Sequence, residues 1–245
     1  MYTVSKNKET VTNFLSLIDT ETSSKFKYEE GKLYTFVNPY SYISGRDNID
    51  TYKEFKHIYI DGIFLCLVFK FFNIVNPERL SFDMTSVAPI VLKKAEDEGL
   101  TLCIVGTKPG VIEEAIQNIK LSYPKLNIQL VRNGYFKDQQ EKETFFDTVV
   151  SHQPDIVIVG MGAPLQEKFL LDLKDRGWNG TGFTCGGFLH QTSGGINYYP
   201  KWVDLLHLRW VYRIYTEPKL FRRYTVDYMK FIFLFLKDYI KFKSK

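Results

Sequence analysis

The chain has 245 residues, 44% of them hydrophobic, which is enough for one large globular domain or a domain with an appendage. The net charge is only +4, but residues 201–245 contain eleven Lys or Arg residues against four acids. A basic carboxyl end favours a phosphorylated ligand, a membrane surface or nucleic acid as partner. The most apolar runs, "IFLCLVF" (63–69) and "FIFLFL" (231–236), are too short to span a bilayer.

The cysteines do not indicate a metal centre. Cys66, Cys103 and Cys185 are far apart, form no Cys-x-x-Cys pair and lie at no metal-ligand spacing from the four histidines. The amino-terminal stretch also lacks the apolar core of a signal peptide. We therefore expect no metal site, no disulfide framework and no bound cofactor, and we expect a cytoplasmic location.

Strand and helix patterns alternate from residue 100 onward. Buried strands are predicted at 100–106, 127–136, 155–162 and 180–188, and helices at 109–124, 141–154 and 164–177. Strands and helices of these lengths indicate parallel βαβ units and thus a doubly wound α/β sheet. In such sheets, ligands bind beyond the carboxyl ends of the strands.

The loops expected at those strand ends all contain glycine. They read "VGTKPG", "RNGYF", "VGMGAPLQEKF" and "CGGFLHQTSGG". Glycine lets backbone N–H groups approach a phosphate, and a following helix N-terminus favours negative charge. Short loops also need glycine for geometry alone, but four on one sheet edge favour a nucleotide site. ATP and NAD are disfavoured, because there is no Walker A sequence and Leu165 replaces the third glycine of a Gly-x-Gly-x-x-Gly motif.

The stretch "LRWVYRIYTEPKLFRRY" (208–224) places four arginines among aromatic residues. A guanidinium group is a planar fork that matches phosphate oxygens. From Arg223 onward the spacing of polar residues predicts an amphipathic helix with a basic stripe, typical of a helix at a membrane interface. On that interpretation Phe231, Phe235 and Tyr239 enter the membrane. The alternative is a helix packed on the domain or on another subunit.

Taken in order, "VGTKPGV", "NGYF", "PDIVIVGMGAPLQEKF" and "PKWVDLLHLRWVYRIYTEPKLFRRY" resemble the motifs of the WecG/TagA/CpsF glycosyltransferases, glycosyltransferase family 26. The resemblance is close over about 98–224 and looser over 30–97. It implies a Rossmann-like catalytic domain (1–195) with helices on a mostly parallel sheet, followed by a basic, aromatic carboxyl-terminal appendage (196–245).

The same resemblance implies an activity and a location. It implies inverting transfer of a hexose or N-acetylhexosamine from a UDP-sugar to an undecaprenyl-diphosphate-linked saccharide, in cell-surface polysaccharide biosynthesis. The protein would be peripheral on the inner face of the cell membrane, bound through its carboxyl-terminal helix. A homo-oligomer is left open.

The resemblance also assigns roles to residues of the main domain. Asp61 in "YIDGIFL" matches the proposed catalytic base, and Asn38 in "FVNPYSY" matches an active-site asparagine. Gln166 in "GAPLQE" matches a donor-pocket glutamine, and Tyr135 in "NGYF" falls where the nucleoside is held. We expect Glu167, next to Gln166, to complement the dipole at a helix N-terminus.

Further substrate-binding residues are expected in the loops and the appendage. Arg213 and Arg223 match arginines that meet the diphosphate, and Arg222 is expected to join them. Gly106 and Gly162 belong to the donor loops, where backbone groups would approach the nucleotide. The chain departs from the family pattern at His190, which replaces an acid and is a candidate donor ligand or second base. It departs again in "ERLSFDM" (78–84), which replaces an Arg-x-x-Gly-x-Asp segment.

The sequence contains no Asp-x-Asp motif, which many nucleotide-sugar enzymes use to hold a metal. Arginines and helix N-termini would then stabilise the departing diphosphate, and we predict metal-independent catalysis. Two alternatives belong to other classes: a nucleotide-binding module without turnover, and a nucleic-acid-binding protein with a basic tail. We expect no nucleic acid as partner, because the basic region is one short amphipathic stripe.

Overall fold

A computed structural model of the protein describes residues 13–18, 26–206, 208–218 and 220–244, apart from the side chains at positions 201 and 204. Its strands are β1 (Leu33–Val37), β2 (His57–Ile60), β3 (Thr101–Gly106), β4 (Asn127–Arg132), β5 (Ile156–Gly160) and β6 (Thr181–Thr184). They form one sheet in the order β2-β1-β6-β5-β3-β4, and each neighbouring pair is parallel. The predicted α/β fold with a Rossmann-like parallel sheet is confirmed.

The helices connect and follow these strands. They are α1 (Pro39–Asp47), α2 (Ile49–Lys53), α3 (Ile63–Phe71), α4 (Val87–Glu98), α5 (Val111–Ser122), α6 (Gln139–His152), α7 (Leu165–Asp175), α8 (Phe188–Ser193), α9 (Lys201–Leu205), α10 (Arg209–Thr216), α11 (Leu220–Arg222) and α12 (Tyr228–Lys243). A 3₁₀ turn covers Phe14–Leu17, and a π-helical turn, Arg223–Asp227, joins α11 to α12.

Both faces of the sheet are covered, as expected for parallel strands. Along β3, Cys103 and Val105 pack in one hydrophobic core, while Leu102 and Ile104 pack in the other. The alternation follows from the pleat of the strand, which sends successive side chains to opposite faces. Residues of α3 and α12 belong to the first core, and residues of α4 and α5 to the second.

The elements predicted after residue 100 are present, with boundaries that differ by a few residues. The largest differences are at the ends of two strands. β4 ends at Arg132, and β6 ends at Thr184, after which the glycine turn at Gly186 and Gly187 leads into α8. The apolar run 63–69 forms helix α3. In the described part of the chain, no helix is both long enough and apolar enough to cross a bilayer.

Helix α12 packs on the α/β domain through the rings that we expected in the membrane. Phe231 and Phe235 are 0% and 1% exposed, and both rings contact Tyr42 of α1, with centroids 5.2 and 6.0 Å away. The Tyr239 hydroxyl donates to the Phe72 carbonyl at 3.2 Å. The predicted helix is therefore present, but the prediction that these three residues enter a membrane is wrong. Their stripe forms the face of the helix that packs on the domain.

A buried ion pair fixes the same helix. Asp238 of α12 accepts hydrogen bonds from Arg46 Nε at 2.6 Å, Arg46 Nη2 at 3.1 Å and the Tyr42 hydroxyl at 2.8 Å. Its backbone carbonyl accepts from Asn13 Nδ2 at 2.6 Å. Burial and the neighbouring Asp238 carboxylate raise the pKa of Tyr42, which keeps its hydroxyl protonated as a donor. Helix α12 is thus tied to α1 and to the amino-terminal 3₁₀ turn.

We expect Asp238→Ala to lower the free energy of unfolding by about 3 kcal/mol, because it leaves the Arg46 charge without its partner in a mostly buried place. Urea denaturation measures this. Lys237→Ala, one residue away and exposed, is the control and should change stability by less than about 0.5 kcal/mol. A loss as small as the control's would show that the pair does not hold α12 in place.

Candidate active site

The carboxyl ends of the neighbouring strands β1 and β2 bring Asn38 and Asp61 together. The strands are parallel neighbours with Val37 opposite Ile60, and the Asp61 backbone N–H donates to the Val37 carbonyl at 2.8 Å. Gly62 has φ +93°, a conformation that favours glycine, and it turns the chain from Asp61 directly into α3. The catalytic candidate therefore sits on a rigid strand end, where α/β sheets bind their ligands.

Asn38 connects the domain to the carboxyl-terminal segment. Its Oδ1 caps α1 by accepting from the backbone N–H groups of Tyr40 and Ser41, each at 3.1 Å. The same oxygen accepts from Arg223 Nη2 at 3.2 Å, and the Arg223 guanidinium lies over the Tyr40 ring. Asn38 thus holds Arg223 at the strand end next to Asp61.

A cluster of charges that the sequence did not predict surrounds Asp61. Arg79 Nη2 lies 3.4 Å from Asp61 Oδ1 and forms a second ion pair with Asp83. Arg209 Nη1 of α10 reaches the same Asp83 at 3.2 Å. Burial alone would raise the pKa of Asp83, but the charge of Arg79 and its hydrogen bonds hold the pKa below its ordinary value. The "ERLSFDM" segment therefore orients the Asp61 carboxylate and links it to α10.

The glycine loops converge at the same edge of the sheet. A Cβ on Gly106 would lie 2.4 Å from the Gly160 carbonyl oxygen, and one on Gly134 would lie 3.3 Å from the Gly106 Cα. Only glycine lets the loops after β3, β4 and β5 approach so closely. Tyr135, next to Gly134, is 62% exposed, so its ring is free to meet a ligand. Gly162 has φ +78° and lies three residues before α7.

Gln166 and Glu167 form a buried network that supports the loop after β6. Gln166 Oε1 accepts from the Gly186 N–H at 3.1 Å, and its Nε2 donates to Glu167 Oε1 at 3.1 Å. Glu167 Oε1 also accepts from the Thr35 hydroxyl at 2.8 Å. Glu167 lies in the first turn of α7, as expected for an acid that complements the dipole of that helix, but its carboxylate is fully buried inside the domain. Gln166 is buried as well, and in this structure its amide positions the Gly186 turn.

The ionisation of Glu167 should make stability depend on pH. Burial raises the pKa of its carboxyl, and hydrogen bonds from Gln166 and Thr35 only partly offset that rise. An acid whose pKa is raised by folding loses stability as pH rises from its unfolded pKa through its folded pKa. We expect Glu167→Gln to remove this loss, so its stability relative to wild type should improve as pH rises above about 4, the ordinary pKa range of an unfolded glutamate. Parallel urea-denaturation profiles for the two proteins would contradict a raised pKa.

Arg213 of α10 lies against the glycine turn before α8. A Cβ on Gly187 would lie 3.3 Å from Arg213 Nη2. That nitrogen donates to Glu217 Oε1 at 3.0 Å, while the buried Nε has no hydrogen-bonding partner among the described residues. His190 Nε2 is 3.8 Å from the same Glu217 oxygen. A buried guanidinium N–H without a partner is unusual in proteins and fits a donor kept for an anionic ligand.

The pKa of Tyr224 is affected by charged groups on both the Asp61 side and the Arg213 side of the site. Burial raises the pKa of this tyrosine, and the positive charges of Arg213 and Arg223 counteract the rise. The negative charges of Asp61 and Glu217 also act on the hydroxyl, so it lies within electrostatic range of all four groups. No described contact joins the exposed Arg222 to this cluster.

The site therefore contains a carboxylate next to a strand end, several arginines and a glycine turn that Arg213 contacts. Among the predicted residues, the structure connects Asn38 and Asp61 with Arg223, and Gln166 with the turn that Arg213 contacts. Arg79, Glu217 and Tyr224 were missed as site residues. The motifs "ERLSFDM" and "TEPKLFRRY" contained them, but the sequence does not say which side chains face the cleft.

Comparison with known proteins identifies the family. The model of the Glycosyl transferase WecG/TagA/CpsF family matches residues 5–245. The chain is 36% identical to the UDP-Gal:alpha-D-GlcNAc-diphosphoundecaprenol beta-1,4-galactosyltransferase of Shigella boydii. The aligned 204 residues cover 83% of this chain and 85% of that protein.

Two further relatives are N-acetylglucosaminyldiphosphoundecaprenol N-acetyl-beta-D-mannosaminyltransferases. The enzyme of Bacillus subtilis (strain 168) is 27% identical over 220 residues, 86% of this chain and 82% of that protein. The enzyme of Bacillus spizizenii is 29% identical over 164 residues, 66% of this chain and 62% of that protein. The chain belongs to the WecG/TagA/CpsF family of glycosyltransferases.

Proposed function

We propose that this glycosyltransferase moves a hexose or N-acetylhexosamine from a UDP-sugar to a saccharide linked to undecaprenyl diphosphate, with inversion at the anomeric carbon. The observation that carries the proposal is that arginines of the carboxyl-terminal region reach the strand ends near a carboxylate. Asp61 follows β2, Arg223 bonds to Asn38 at the neighbouring strand end, and Arg213 contacts the Gly187 turn. The relatives are named as enzymes that act on GlcNAc-diphosphoundecaprenol, which supports the choice of a lipid-linked acceptor. Cell-surface polysaccharide synthesis is the process that such an acceptor serves.

The proposed chemistry is a single displacement. The acceptor hydroxyl attacks the anomeric carbon while Asp61 takes its proton, and the bond from that carbon to the UDP oxygen breaks. The electron pair of that bond leaves with the diphosphate of UDP. Arg213 and the backbone N–H of Gly187 would stabilise this charge. Arg79 orients the Asp61 carboxylate, and Arg223 and Tyr224 close the cleft over the acceptor diphosphate.

A panel of UDP-sugars, each offered with GlcNAc-diphosphoryl lipid, tests the activity through release of UDP. We expect one donor to release UDP far faster with the acceptor than without it. UDP binding without acceptor-dependent release for any donor would favour a nucleotide-binding module without catalysis.

We further propose that the transfer needs no metal. The proposal rests on the missing Asp-x-Asp motif and on the arginines placed where a metal would otherwise neutralise the diphosphate. Turnover should persist in excess EDTA, measured as UDP release with the preferred donor. Loss of activity that returns on addition of Mg²⁺ or Mn²⁺ would contradict this assignment.

We also propose that residues 196–245 bind the anionic inner face of the cell membrane. Since Phe231 and Phe235 pack inward, the face available for lipid carries Met229, Phe233 and Ile240, which are exposed. Lys230, Lys237 and Lys241 are exposed as well. Each basic residue near an anionic surface contributes about 1 kcal/mol, so three lysines and buried apolar side chains would give reversible binding.

A further inference from the structure

Helix α3, which directly follows Asp61, carries an exposed apolar stripe. Ile63, Leu67 and Phe71 are spaced four residues apart and therefore lie on one face. Leu67 is 55% exposed and Phe71 is 79% exposed. Scattered exposed apolar residues are ordinary, but a contiguous patch marks an interaction surface.

Helix α3 packs beside α12, and the two run in the same direction. Phe64 stacks on Tyr228 with ring centroids 5.4 Å apart, Phe69 contacts Phe235 at 5.8 Å, and Phe72 contacts Tyr239 at 4.8 Å. Residue numbers rise together along the contact, which is the signature of a parallel pair. Both helices therefore lead away from the cleft, α3 from Asp61 and α12 from the turn that begins at Arg223.

Helix α12 has an exposed apolar stripe of its own, formed by Met229, Phe233, Leu236 and Ile240. Successive residues of a helix turn by about 100°, which places this stripe between the side with Tyr228 and Tyr239, facing α3, and the side with the lysines. The same rotation of about 100° per residue along α3 places Leu67 and Phe71 next to the side of α3 that faces α12. The two stripes therefore meet along the seam between the helices.

Basic residues border the combined patch on both sides. Lys70 lies on the edge of α3 away from α12, and Lys230, Lys237 and Lys241 lie on the edge of α12 away from α3. The acid within α12, Asp238, is turned inward to Arg46. An apolar centre with lysines along both long edges is complementary to an anionic bilayer, into which rings sink while lysines reach the headgroups. A second copy of the same surface would oppose lysines to lysines.

We propose that α3 and α12 together form one surface for an anionic phospholipid bilayer, with Leu67 and Phe71 inserted beside Phe233 and Ile240. The inference extends the proposed membrane-bound function, because it makes the helix behind the catalytic base half of the membrane contact. Helix α3, which follows Asp61, would then lie in the plane of the lipid. The cleft would open at that plane, where the diphosphate of a lipid-linked acceptor is found.

The test is co-sedimentation of the full chain with phosphatidylglycerol-containing vesicles. Leu67→Glu/Phe71→Glu on α3 and Met229→Glu/Phe233→Glu on α12 should each reduce binding about tenfold or more, since each places charge in apolar contact. The matched control is Ile90→Glu/Leu121→Glu, with two exposed apolar residues on α4 and α5, which cover the opposite face of the sheet. The control should bind like wild type.

UDP release with a short-chain, water-soluble acceptor measures the chemistry without membrane docking. The double variant Leu67→Glu/Phe71→Glu (the α3 pair) should leave this rate unchanged. If the α3 pair binds vesicles normally while the α12 pair does not, the inference is overturned and docking through the carboxyl-terminal helix stands. If neither pair changes binding, both docking proposals are wrong. If the α3 pair changes only self-association, the patch is a protein interface and the inference also fails.

A second measurement does not depend on the folding of the glutamate variants. Leu67→Cys, labelled with an environment-sensitive fluorophore, should brighten and shift to the blue when anionic vesicles are added. Leu121→Cys, labelled in the same way, should not change. Cys66, Cys103 and Cys185 are buried, and burial raises the pKa of the Cys66 thiol to about 11, so labelling is directed to the new site. An unchanged emission at position 67 would overturn the inference.

Discussion

Asp61→Asn is expected to lower turnover by about 10²–10⁴, the usual contribution of a general base, with UDP binding intact. The amide has nearly the shape of the carboxylate, so the strand end and the contact with Arg79 should keep their geometry. It cannot take the proton that the acceptor hydroxyl must lose. Initial rates of UDP release and calorimetric titration with UDP measure the two properties separately.

The control for Asp61 is Asp175→Asn, an exposed aspartate at the end of α7. It should turn over like wild type. A rate for Asp61→Asn within a few-fold of that control would remove Asp61 from the proton transfer. Unimpaired UDP binding in the slow variant would show that the loss lies in chemistry or acceptor use rather than in the donor site.

Arg213→Ala is expected to lower turnover by about 10²–10³, the effect of removing one donor from a site of developing negative charge. Its guanidinium lies beside the Gly187 turn, and its Nε–H has no partner in the described part of the chain, so it is placed to hold the departing diphosphate. Vesicle binding should not change, because Arg213 is on α10 and not on the basic border of the α3–α12 patch. Single-turnover rates and co-sedimentation on the same preparation check both statements.

Arg222→Ala is the matched control for Arg213. Arg222 lies in the same segment and carries the same charge, but it is exposed and has no described contact with the cleft. The structure predicts a small effect for Arg222, whereas the sequence grouped it with Arg213 and Arg223. Equal losses in the two variants would show that net charge, and not position, determines the effect.

The carboxyl-terminal segment contributes to the site from several positions along its length. Arg209 reaches Asp83, Arg213 contacts the Gly187 turn, and Arg223 bonds to Asn38. Removing residues 225–245 would also uncover Tyr42, because Phe231 and Phe235 pack on it. Point variants on exposed positions therefore separate docking from folding better than a truncation does. The division of the chain at residue 196 stays a prediction.

The sheet after residue 100 was predictable because each strand is a short apolar run next to a helix with one apolar face. The loops around Gly106 and Gly162 followed from strand ends, which meet on one edge of a parallel sheet. Asp61 was found through a family motif. An Asp-Gly pair alone is ordinary turn chemistry, and nothing in "YIDGIFL" reveals that β2 lies beside β1.

The rest depends on tertiary contacts that periodicity does not encode. The sequence of α12 contains two apolar stripes, one with Phe231 and Phe235 and one with Met229 and Phe233. Which of them faces the domain is decided by Tyr42 and Phe69, which lie far away in the chain. Glu167 shows the same limit, since a glutamate at a helix start is usually exposed. Here Thr35 of β1 provides a buried partner.

The anomeric configuration of the product tests the central claim most directly. One displacement with Asp61 as base and the arginines at the leaving diphosphate requires inversion. Nuclear magnetic resonance of the new glycosidic linkage, made from an α-configured UDP-sugar, should therefore show a β anomeric proton. An α linkage from the same donor would require a different mechanism and would contradict the role given to Asp61.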